Sequence, residues 1–134
     1  MLIVEDNEAD AFLIKRALEA TKLPLLLTFA RDGEEAIRHF EEAEGDLESP
    51  CPEVVLLDIN LPKKPGGDVL KHIRNQSRCA KTHVIAVSTS DSPRDRELMA
   101  ALGADGYFRK PSELDEFMKL GDLIKSYLIR TGQP

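Results

Sequence analysis

One ten-residue stretch constrains this chain more than any other: Glu53-Val54-Val55-Leu56-Leu57-Asp58-Ile59-Asn60-Leu61-Pro62. Its four consecutive aliphatics, two of them β-branched, read as a strand buried on both faces. That is how a central strand of a parallel sheet looks, although periodicity alone leaves a buried helix open. The run stops at an acid, and Pro62 followed by Pro65-Gly66-Gly67 forces a loop beyond it. A carboxylate at the end of a buried strand costs free energy unless something compensates its charge. In open α/β sheets the carboxyl ends of the strands are also where ligands bind. Asp58 is the residue whose surroundings need explaining.

The rest of the chain alternates around this strand. Leu2-Ile3-Val4, cut close to the start, leads into Glu5-Asp6-Asn7, where Asp6 or Asn7 caps a helix. Ala9, Phe12, Leu13 and Ala17, widened by Ile14 and Leu18, give that helix its apolar stripe up to about Thr21. Leu25 to Phe29 reads as a second strand, Asp32-Gly33 as a turn, and Ala36, Ile37 and Phe40 as a short second helix. Residues 41–52 dissolve into acids, Gly45, Ser49, Pro50 and Pro52, the pattern of a mobile, solvated loop. Val69, Leu70 and Ile73 mark a helix after Gly67. Val84 to Val87 is a fourth strand ending at Ser88, and Ser92-Pro93 fits an N-cap with proline at the first helical position. Leu98, Met99 and Leu102 face that helix inward. Tyr107-Phe108 forms a short fifth strand ending at Lys110-Pro111, and Ser112-Glu113-Leu114-Asp115 resembles a capping box. It opens a last helix with Leu114, Phe117, Met118, Gly121, Ile124 and Leu128 inward. Five strand–helix alternations predict an α/β fold with an open, doubly wound five-stranded parallel sheet, in one domain over residues 1–134.

Composition narrows the function classes. A net charge of −6 argues against sequence-independent binding to nucleic acid. No apolar run approaches the roughly 20 residues needed to span a bilayer. Glu5, Asp6 and Glu8 stand where a secretory signal would carry its apolar core, so a cytoplasmic location is the expectation. Cys51 and Cys79 match no metal-binding or redox spacing and read as reduced bystander thiols.

In a parallel sheet, Glu5-Asp6, Asp58, Ser88 and Lys110 all lie at strand ends on one edge. Crowded carboxylates share protons or bind a cation, and hard oxygen ligands near a phosphate point to Mg²⁺. A carboxylate there can act as nucleophile and form an aspartyl-phosphate. Lys110 then offers a positive charge and Ser88 a hydrogen bond to the phosphoryl oxygens. Each residue has a plainer reading alone: Glu5-Asp6 as helix cap, Ser88 as turn hydroxyl, Lys110 as surface charge. Asp58 has the fewest structural excuses.

Ile3-Val4-Glu5-Asp6-Asn7, Leu56 to Pro62 with Gly66, Val87-Ser88-Thr89 and Tyr107-Phe108-Arg109-Lys110-Pro111 resemble the receiver domains of two-component response regulators, the CheY-like fold. The intervals of 30 residues from Asp58 to Ser88 and 22 from Ser88 to Lys110 agree with it. The resemblance implies the strand order 2-1-3-4-5 and Asp58 as acceptor of phosphate from a histidine kinase. It implies Asp6 and Asp58 as side-chain ligands of Mg²⁺, with Glu5 acting mainly through water and Asn60 through its backbone carbonyl. Ser88 matches the switch hydroxyl, Tyr107 the aromatic that follows it, and Lys110 the phosphate's ion pair. A cis Lys110-Pro111 bond also comes with the family.

Leu61-Pro62-Lys63-Lys64, Ser88-Thr89-Ser90 and Lys110-Pro111-Ser112 with Phe117 are more reminiscent of stand-alone receivers paired with bacterial phytochrome histidine kinases. No output domain is then expected. A downstream protein target or phosphotransfer protein would read the face built from helix four, strand five and helix five, or a homodimer would form. Departures are residues 41–52, which look inserted, Pro65 in place of an acid, and Ser88 where threonine is more frequent. For Tyr107 a strand-edge aromatic packed on the last helix is the competing reading. Two other functions compete. A phosphatase or phosphotransferase using an aspartyl-phosphate would want a second aspartate where Asn60 stands. An interaction module that is never phosphorylated has no need for the charge cluster.

Overall fold

β3 (Val54–Asp58) takes the centre of a five-stranded sheet in a computed structural model that describes residues 1–130. Around it lie β1 (Leu2–Val4), β2 (Thr28–Ala30), β4 (His83–Ser88) and β5 (Gly106–Arg109), all parallel and ordered β2-β1-β3-β4-β5. Both predictions for the sheet, its direction and its order, are met. Helices α1 (Glu8–Glu19), α2 (Gly33–Gly45), α3 (Gly66–Arg74) and α4 (Pro93–Ala101) alternate with the strands, and α5 (Leu114–Phe117) and α6 (Lys119–Arg130) follow β5.

The strand period of two splits the interior into two cores. Val55 and Leu57 join Phe40, Val69, Leu70, Ile73 and Met99 on one face. Val54 and Leu56 join Ile14, Leu18, Phe117, Leu120 and Ile124 on the other. The starts of α1, α2 and α4 are fixed by side-chain caps, each worth about 1 kcal/mol. Asn7 accepts from the Asp10 amide at 2.9 Å, Asp32 from Glu35 at 2.8 Å, and Ser92, ahead of Pro93, from Arg94 at 3.2 Å.

Several local expectations are corrected. The second strand is Thr28–Ala30 rather than 25–29, because three-residue β1 offers register only from Leu2↔Thr28 to Val4↔Ala30. Leu26 is left 87% exposed. Phe12, Leu98 and Leu114, expected inward, are exposed. The last helix breaks after Phe117 into two, and Glu113 stands at its start without a side-chain cap, so the capping box does not form. Gly121 in α6 permits close approach to α1, since a Cβ there would lie 2.8 Å from the Ala17 carbonyl oxygen. The Lys110–Pro111 bond is trans, as are all peptide bonds among the described residues. The Lys110 amide instead extends the β4 ladder by donating to Ser88 at 2.7 Å.

Residues 41–52 are not a free loop. Ala43 continues the buried stripe of Ala36 and Phe40, so α2 runs to Gly45. Arg78 donates to the carbonyls of Ala43, Asp46 and Leu47, satisfying groups that a helix end leaves open. The Glu44 carboxylate accepts from the amides of Ser77, Arg78 and Cys79. Cys51 and Cys79 are joined in a disulfide with Cα atoms 5.5 Å apart, correcting the expectation of free thiols. Their spacing carried no signal because the partners meet only when the loops before β3 and β4 fold side by side.

The disulfide bridges a sequence separation of 28. On the chain-entropy argument its reduction costs about 3.5 kcal/mol. Urea unfolding with and without reductant measures this. Equal midpoints would show that the cross-link contributes nothing.

Candidate functional site

Glu5 and Asp6 follow β1, Asp58 ends β3, Ser88 ends β4 and Lys110 follows β5, so the parallel order delivers all five to one edge. Asp58 and Glu5 are 5% and 4% exposed, deep burial for carboxylates, whereas Asp6 is exposed. One oxygen from each of Glu5, Asp6 and Asp58 lies within 4.8 Å of the others. The loop beyond β3 is held close by Gly66, where a Cβ would come 2.5 Å from the Asp58 carbonyl oxygen.

Lys110 organises this edge. Its ammonium lies 2.6 Å from Glu5 Oε1 and donates to Asp10 Oδ2 at 2.9 Å and Asp58 Oδ2 at 3.2 Å. Asp58 Oδ1 accepts from the Asn60 amide at 2.9 Å, which fixes the carboxylate plane. The contact at Glu5 Oε1 is an ion pair that is not aligned as a hydrogen bond, leaving a buried oxygen without one. Burial, then the Asp58 carboxylate beside it, push the Glu5 carboxyl up to about 7 against the pull of Lys110. Burial acts to lower the pKa of Lys110. Its contacts with Glu5, Asp10 and Asp58 outweigh that and hold the ammonium well above its ordinary range.

The donor set suits a hard divalent cation: three carboxylates, one with an oxygen lacking a hydrogen bond. Glu5, Asp6 and Asp58 are the side chains that could hold it.

Ser88 and Tyr107 are placed differently. Ser88 is buried, and its Oγ accepts from the Ser90 amide at 3.0 Å. Tyr107, partly buried against the Val55 core, donates its hydroxyl to the Ser90 carbonyl at 2.9 Å, and the Arg96 guanidinium lies 4.5 Å from its ring centroid. The two side chains therefore meet through Ser90. Sequence reasoning named neither Asp10 nor Ser90 as a partner. Asp10 stands in the first turn of α1, three residues after the N-cap Asn7, a position at which an acid is ordinarily explained by the helix dipole alone.

A raised Glu5 fixes the sign of a pH effect. The folded chain keeps a proton there that the unfolded chain has lost above pH 4.5, so stability is full below that pH and falls toward about pH 7. Without divalent cations the loss is roughly 3 kcal/mol. Glu5→Gln should flatten urea-unfolding stability between pH 5 and 8, and an unchanged slope would disprove the assignment.

The model of the response regulator receiver domain matches residues 1–121. Response regulator Rcp1 from Synechocystis is 33% identical over 132 residues, 98% of this chain and 89% of that protein. The crystal structure of the phosphorylated cyanobacterial phytochrome response regulator RcpA superposes with a TM-score of 0.84 at 31% identity, covering 97% of this chain and 93% of that one. The Mn²⁺-bound form of Rcp1 gives 0.81 at 31%, covering 93% and 90%. A family match over residues 1–121, with relatives 31–33% identical over nearly the whole chain, makes this chain a member of the response regulator receiver domain family.

Proposed function

We propose that this receiver is a phosphorylation-controlled switch in which Asp58 takes a phosphoryl group from a sensor histidine kinase. The observation that carries the reading is the buried Asp58 carboxylate, oriented by the Asn60 amide, with the Lys110 ammonium 3.2 Å away. An Asp58 oxygen attacks phosphorus as the bond from phosphorus to the donor's imidazole nitrogen breaks. The electron pair leaves on that nitrogen, which takes up a proton. Lys110 is already in place to neutralise the phosphoryl oxygens. Glu5, Asp6 and Asp58 would hold Mg²⁺, with Asn60 adding its backbone carbonyl. The metal supplies charge neutralisation for the incoming phosphate. The Mn²⁺ in the Rcp1 structure supports a divalent cation, and the phosphorylated state of RcpA supports the chemistry. The likeness to a phytochrome response regulator favours a kinase of the bacterial phytochrome class.

Ser88 and Tyr107 carry the change outward. The Ser88 hydroxyl accepts from the Ser90 amide, so its own proton is available to a phosphoryl oxygen. Moving that hydroxyl disturbs Ser90, and with it the hydrogen bond from Tyr107. The face of α4, β5 and the last helix, now α5 with α6, then changes for its partner, a downstream protein or a second copy.

Intact mass after incubation with Mg²⁺ and acetyl phosphate should show one added phosphoryl group, absent in Asp58→Asn. Labelling that persists in the variant would disprove the assignment. Ser88→Ala should still be labelled, yet show smaller amide shifts over residues 88–110 on adding beryllofluoride. Shifts of wild-type size would remove Ser88 from the switch.

A further inference from the structure

Three carboxylates share one lysine, and the third has no part in the cation cluster. Asp10 sits in the first turn of α1, its amide bound to the Asn7 cap and its side chain 26% exposed. Its Oδ2 takes a hydrogen bond from the Lys110 ammonium at 2.9 Å, while the Lys110 side chain is only 7% exposed. Glu5 and Asp58, the other two partners of Lys110, belong to the group of oxygens that could hold a cation, and Asp10 does not.

An ammonium has three N–H bonds, and Lys110 has three carboxylate neighbours within 3.2 Å. Two of those N–H bonds go to Asp10 and Asp58 while Glu5 is held as an ion pair only, so a phosphoryl group on Asp58 inherits the Asp58 contact and still shares the lysine with Asp10. A cation draws on Glu5, and phosphorylation consumes an oxygen of Asp58. Asp10 is unchanged by either event. It remains a negative charge, open to solvent, on the lysine that the phosphoryl oxygens must engage.

We propose, on the reading that Asp58 accepts phosphate, that Asp10 is a positioning residue that competes with the phosphoryl group for Lys110. It parks the ammonium before phosphorylation and opposes its transfer afterwards. Neutralising it should favour the phosphorylated state, because one like charge beside the phosphate is removed.

The test compares wild type, Asp10→Asn and Asp10→Glu. The rate of phosphoryl incorporation from acetyl phosphate with Mg²⁺ is followed by intact mass, and the Lys110 ammonium by nitrogen-15 NMR in the metal-free protein. Asp10→Asn should be labelled about three- to tenfold faster, an effect that shrinks in high salt because the charge is partly exposed. Its Lys110 resonance should shift, and Asp10→Glu should restore both toward wild type. Labelling of Asp10→Asn at the wild-type rate or slower overturns the competition, as does an unmoved Lys110 resonance. Labelling absent from all three chains overturns the phosphoacceptor reading and the competition with it, while a shifted resonance would still locate the Asp10–Lys110 contact.

Discussion

A lysine ammonium withdrawn from water loses hydration worth several kcal/mol, and only close, well-directed anions offset that. Lys110 meets this condition through residues that sequence separates widely: Glu5 after β1, Asp10 in α1 and Asp58 at the end of β3. The order β2-β1-β3-β4-β5 sets the acids of β1 and β3 side by side. β5 lies two strands from β3, a gap that the long, flexible lysine stem crosses. Burial first, and the Asp58 carboxylate second, drive Glu5 to hold its proton, and the negative charge around the lysine still exceeds the positive. A site with this surplus is under electrostatic pressure to take up a cation.

Much of this was legible from the residues. Val54 to Leu57 announced a two-sided strand because a parallel sheet covered on both faces leaves no polar side to alternate with. Strand ends in a parallel sheet share an edge, so Glu5, Asp58, Ser88 and Lys110 could be gathered without coordinates. What stayed hidden depended on distance between loops or on helix phase. Cys51 and Cys79 are brought together by loops that sequence spacing does not relate. Arg78 caps α2 from a different connection, so residues 41–52 looked loose when read alone. Asp10 gave no signal in the sequence because its partner Lys110 lies 100 positions away.

The two edges of the sheet are held by different means. The amino edge is joined by a disulfide and by hydrogen bonds of Arg78 and Glu44, at the end of the sheet opposite Asp58. The carboxyl edge is joined by charges around one lysine, among them those of the candidate cation ligands Glu5 and Asp58. A disturbance introduced at Asp58 therefore meets a rigid floor beneath it and yielding neighbours beside it.

Helix α4 is lightly anchored in the core. Met99 is its buried residue among those described, and Leu98 lies out in solvent. Re-seating such a helix disrupts about one side chain's packing, on the order of 2–5 kcal/mol. That is close to the few kcal/mol separating conformers that a ligand can interconvert. A helix anchored at many points would hold its place whatever happened at the strand ends. One anchored by a single methionine can be moved by the rearrangement of a few hydrogen bonds around Ser90.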